Sequence, residues 1–136
     1  MSEENIGEQF KGIAGYDLLG DITRHVEVVK NIVKPHADKA WEDRRQNGTM
    51  DPNPAIWSHE ELGHVVNWMT EACDSHSKGD WKAAKKNLLV ALHGIGNVKQ
   101  VIQEHPWSDE EFNDIADHID DIHEKALKYN DLRRDV

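Results

Sequence analysis

The chain has 136 residues with a net charge of −10, 38% apolar and 31% charged side chains, and one cysteine, Cys73. That length fits one domain with a core that needs no covalent staple. A single cysteine excludes an intramolecular disulfide or a thiolate metal cluster, and the excess of acids disfavours a phosphate backbone as partner. The start, Met1-Ser2-Glu3-Glu4, lacks the basic and apolar runs of a secretory signal, and no stretch approaches the eighteen or so apolar residues of a membrane span, so a cytoplasmic protein with no membrane segment is expected.

Residues 1–16 are punctuated by Gly7, Gly12 and Gly15 and read as a flexible N-terminal strap that docks partly through Ile6, Phe10, Ile13 and Tyr16. Residues 17–136 read as a single helical-bundle domain. Its first helix spans about Asp17 to Lys34, with Leu18, Ile22, Val26, Val29, Ile32 and Val33 at three- and four-residue steps on one face. Pro35 is expected to end or kink it, with Ala37, Ala40 and Trp41 on a bent continuation to about Gln46.

Residues 47–57, with Asn47-Gly48 and two prolines, read as a loop. Ser58 and Glu61 form the pattern of a capping box, which starts a second helix running to about Lys78, and Gly79 suits the left-handed turn after it. The inner face of this helix is Leu62, Val65, Val66, Met69, Cys73 and His76. Asp80 caps a third helix to about Glu104, whose face is Trp81, Ala84, Leu88, Leu92, Ile95 and Ile102. Gly94 and Gly96 predict either a break in it or the close approach of a neighbour. Ser108 with Glu111 is a second capping box, opening a last helix with Phe112, Ile115, Ile119, Ile122 and Ala126 inward. Short Gly- and Pro-marked turns favour antiparallel neighbours, so the fold expected is an all-α antiparallel bundle of about four long helices.

The last helix carries the clearest charge feature. Residues 108–124 hold eight acids and no Lys or Arg. Glu110, Asp114, Asp117, Asp121 and Glu124 recur at steps of four, three, four and three, which lines them up opposite the apolar face. Acids in a first turn meet the positive end of the helix dipole, but Asp117 to Glu124 lie beyond it. Like charges at this spacing repel by a few tenths of a kcal/mol each. A protein partner with a basic surface gives the stripe a purpose, and Trp68, mid-helix and away from the Leu62 face, is a candidate interface anchor. The leading expectation is therefore a non-enzymatic acidic protein, such as a regulator, assembly factor or charge-mimicking inhibitor, with no cofactor; a homo-oligomer is within expectation.

Nine histidines open an alternative, a metal-dependent bundle enzyme, oxidase-like or hydrolytic, holding zinc, iron or manganese. Bundle metal sites pair Glu-x-x-His units on facing helices. Glu61 with His64 fits one unit, and Asp120 with His123 is a shortened second. His25, His76 and His123 fall on or beside apolar faces and, with acids such as Asp120, would make a set of three nitrogens and one oxygen if they met. His59 and His64 are five apart, one too many for the zinc-protease pattern His-Glu-x-x-His. Ser58 and Ser108 are read as caps and Cys73 as a small apolar-face residue, so no nucleophile is expected.

Overall fold

The computed structural model describes residues 3–48 and 53–132, with side chains from Gly15 onward. Among the described residues the chain forms four helices and no strand: α1 (Glu3–Asn47), α2 (Pro54–Ser77), α3 (Trp81–Ile102) and α4 (Asp109–Leu132). α1 packs against α2 and α4, and α2 against α1 and α3; of the neighbouring pairs, α3 and α4 approach each other least closely. The chain is thus an antiparallel four-helix bundle, and no described helix is long and apolar enough to cross a membrane.

Each helix buries one stripe at three- and four-residue steps, the helical period. Leu19, Ile22, Val26, Val29 and Val33 of α1 meet Leu62, Val65, Met69 and Ala72 of α2. The same core holds Ala84, Leu88, Ala91, Ile95, Val98 and Ile102 of α3, with Ile115, Ile119, Ile122, Ala126 and Tyr129 of α4. Burying each large aliphatic side chain is worth about 1.5–3 kcal/mol, which outweighs the weak local propensities of so polar a chain.

Several boundaries differ from expectation. α1 does not stop at Pro35; it continues to Asn47 with Pro35 inside it. A proline there removes a backbone hydrogen bond and crowds the preceding turn, at about 3 kcal/mol. The turns on both sides are held: Val33 lies in the main core, and Ala37 packs with Ala55 and Ile56 in a second small cluster. Tyr16 docks only in part, 46% exposed with its ring against His76 of α2, and the docking of Ile6, Phe10 and Ile13 falls outside the described side chains.

The capping box at Ser58 is also corrected. α2 begins one turn earlier, where the Asn53 side chain accepts hydrogen bonds from the backbone N–H groups of Ala55 (2.9 Å) and Ile56 (3.1 Å). Pro54 occupies the first helical position, where its missing N–H is harmless and its fixed φ helps. Ser58 lies inside the helix, fully buried, and its hydroxyl has no hydrogen-bond partner among the described residues.

The other two caps form as their residues dictate. Asp80 accepts from Ala83 N–H at 3.1 Å. Ser108 Oγ accepts from Glu111 N–H at 3.1 Å, and the Glu111 carboxylate accepts in return from Ser108 N–H at 3.3 Å. Gly79 takes φ +78°, the left-handed region that favours glycine. α3 runs unbroken through Gly94 and Gly96, and Gly94 marks the close approach of α2. Three further inner-face assignments shift by part of a turn. Phe112 is 39% exposed, Trp81 is half-buried, and Leu19 rather than Leu18 reaches the centre of the core.

Candidate functional site

The acids of α4 stand where their spacing puts them. Glu110, Asp114, Asp117 and Glu124 are exposed, and Asp121 is half-buried on the flank nearer α1. Lys128 reaches back to Glu124 at 3.3 Å. The opposite side of the same helix carries the buried Ile115, Ile119, Ile122, Ala126 and Tyr129. Burial of that face fixes the rotation of α4 and so holds Glu110, Asp114, Asp117 and Glu124 outward, while Asp121 turns toward His25 of α1. Trp68 is 42% exposed on α2.

The histidines do not meet in the way the sequence suggested. Among the described residues, His25, His76 and His123 form no common ligand group. Neither do Glu61, His64, Asp120 and His123. His64 and Asp120 are exposed, and Glu61 on α2 lies beside Gly94 of α3. His76 is instead a core residue at one end of the bundle: it is 3% exposed, and its Nδ1 lies 2.8 Å from the fully buried hydroxyl of Tyr129. The rings of Trp81 and Tyr16 pack around it, at centroid distances of 4.6 and 6.2 Å.

Two histidine pairs instead bridge α1 to the last part of the chain. At one, His25 Nδ1 lies 2.9 Å from His118 Nδ1. Burial holds the His25 imidazole below its ordinary pKa, and the neighbouring His118 adds to that effect while Asp121 opposes it. At the other, His36 lies between two partners. Its Nε2 is 2.7 Å from a Glu111 carboxylate oxygen, and its Nδ1 is 3.0 Å from His105 Nε2. A carboxylate only accepts, so the Nε2–H of His36 donates to Glu111, and one hydrogen lies between His36 Nδ1 and His105 Nε2. Trp107 packs against both rings, at 4.4 and 4.3 Å between centroids. Burial also holds His105 below its ordinary value, and the hydrogen bond from His36 lowers that of Glu111.

At the same end, a groove of about 550 Å³ opens among Trp41, Arg44, Ile56, Trp57, Glu60 and Glu104. The Arg44 guanidinium stacks over the Trp41 ring at 5.1 Å. Cys73 is half-buried and burial pushes its thiol pKa up, which disfavours the thiolate that a nucleophile would need.

His118 and His36 escaped the sequence reading. The signal for the first was present in the spacing: His118-Ile119-Asp120-Asp121 places an imidazole and a carboxylate three apart, on one helix face. The pairing of His36 with Glu111 left no trace, because Glu111 was already accounted for as a cap. Comparison with protein-family models, with curated proteins and with solved structures found no match to this chain.

Proposed function

We propose that the chain is a non-enzymatic, acidic interaction protein of the cytoplasm that engages a basic surface on a protein partner through the outward row of α4. The observation that supports this most is the separation of roles on that helix. One face is wholly committed to the core, while Glu110, Asp114 and Asp117 stand exposed in a row on the other. Mutual repulsion makes such a row unfavourable by itself, and a cationic partner relieves it. Trp68 is a second contact candidate, a large exposed ring on a rigid helix.

Charge attraction of this kind steers encounter and weakens with salt. The test is titration calorimetry against a peptide of mixed lysine and arginine at low ionic strength. The native chain should bind in a salt-sensitive way. The triple variant Glu110→Gln, Asp114→Asn, Asp117→Asn should lose at least about ten-fold in affinity, which is about 1.4 kcal/mol. Equal affinities for the two proteins would remove the row from its proposed role. The variant spares Asp121, which faces a different neighbourhood.

A further inference from the structure

His25 and His118 face each other across the α1–α4 seam, their rings tilted with centroids 5.1 Å apart. Asp121 joins them. One ligand atom from each of the three lies within 4.8 Å of the other two, and among the described residues no other group of three or more His, Cys, Asp or Glu side chains does this. All three residues are half-buried. α4 supplies two donors from one face, three residues apart, and α1 supplies the third from the opposing helix.

We propose that His25, His118 and Asp121 bind a divalent first-row transition ion, with Zn²⁺ the best match, and that the ion clamps α1 to α4. Two imidazole nitrogens and one carboxylate oxygen are ordinary zinc donors, and a set of three leaves a tetrahedral position for water. The nitrogen donors argue against magnesium and calcium, which take oxygen ligands.

The two imidazoles need little movement, and the Asp121 carboxylate, within 4.8 Å of both, closes the remaining distance. With Zn–N bonds of about 2.0–2.1 Å, two tetrahedral nitrogens sit roughly 3.3 Å apart. The two Nδ1 atoms start at 2.9 Å. The ion takes the place of the hydrogen between the two Nδ1 atoms, and the ring that carried it keeps that hydrogen on its Nε2 instead, since a metal-bound neutral imidazole retains one N–H.

The second histidine pair shows by contrast why this one suits an ion. Glu111 and His105 sit on opposite nitrogens of the His36 ring, so no single ion can touch all three. The surroundings of the His25 site are mixed. Lys125 and Arg24 act on His25 with positive charge, and Arg24 is ion-paired with Asp21 one turn earlier on α1. These cations oppose the metal and make the site weaker than a closed four-ligand one.

The test is titration of the full chain, without a histidine tag, with Zn²⁺ by calorimetry and with Co²⁺ by visible absorption. The native protein should bind one equivalent, give the intense visible bands of four-coordinate cobalt, and unfold at a higher temperature with zinc present. His118→Ala and Asp121→Asn should each lose more affinity than the roughly 10–100-fold that removal of an outer partner brings, with helical content retained. Asp121→Asn keeps the shape of the side chain, so it remains informative should His118→Ala fail to fold. His64→Ala and His105→Ala should bind as the native chain does. Three outcomes would each overturn the proposal: no binding by the native protein, undiminished binding by Asp121→Asn, or loss of binding in His105→Ala instead.

Discussion

Gly94 of α3 lies so close to Val65 of α2 that a Cβ at position 94 would come within 2.6 Å of Val65 Cγ2. Two residues along, a Cβ at Gly96 would meet nothing within 4 Å. The two glycines look alike in the sequence and differ entirely in role. Val65 is buried and β-branched, so it cannot turn away. Gly94→Ala should gain about 1 kcal/mol in helix propensity and lose about 1–3 kcal/mol to overpacking, a net destabilisation. Gly96→Ala should stabilise by about 0.5–1 kcal/mol. Urea unfolding of the two variants separates these signs.

Ser58 and Asn53 offer a second contrast. Asn53 caps α2, so Asn53→Ala should cost about 1 kcal/mol. Ser58 has a buried hydroxyl without a partner among the described residues, so Ser58→Ala removes an unmet polar group and should be neutral or stabilising by about 1 kcal/mol. A clear loss of stability in Ser58→Ala would instead mean that the hydroxyl has an essential bond in solution. Thermal unfolding measured on both variants decides it.

At the other end of the bundle, Tyr129→Phe keeps the ring and deletes the hydroxyl that meets His76. The expected loss is about 0.5–1.5 kcal/mol, against about 3–5 kcal/mol for Tyr129→Ala, which also empties the core. Denaturant midpoints for the pair apportion the two effects.

Acid should destabilise the protein in two stages. Burial lowers the pKa of His59, helped by Lys30, and that of His105, helped by His36, from an ordinary 6.5. In the window just below 6.5 the unfolded chain therefore binds more protons than the folded one, and stability falls as the pH drops through it. Glu111 is lowered from an ordinary 4.5 by its bond to His36, so its contribution is present above that value and disappears below it. Unfolding free energies measured from pH 8 to 4 should be level at the top and begin to decline near 6.5. A flat profile down to pH 5 would contradict the burial of both histidines.

The parts of the fold that were legible in the sequence are those written in short-range chemistry. Asp80 and the Ser108–Glu111 box could be read because a cap involves residues three apart, and the Ile115–Ile119–Ile122 stripe because a helical face repeats every three or four. Ser58 misled because Ser-x-x-Glu is the pattern of a cap wherever it occurs. Asn53 followed by Pro54 competes for the same helix start one turn earlier, and burial of Ala55 and Ile56 decides in its favour. Pro35 misled for a related reason: the core held on both sides of it outweighs a local penalty that the sequence displays openly. The meeting of His25 and His118 was not legible at all, since the partners lie 93 residues apart and helical periodicity fixes a face without naming its neighbour.

The seam between α1 and α4 has a consequence for how the protein is made. α2 follows α1 directly on the growing chain, but the face of α1 that α4 covers must wait for residues some 93 positions later. At roughly 5–20 residues per second, that flank of α1 spends on the order of 5–20 seconds beside the ribosome with its last cover still unsynthesised. A holding chaperone has its opportunity in that interval, and it ends when α4 emerges and docks.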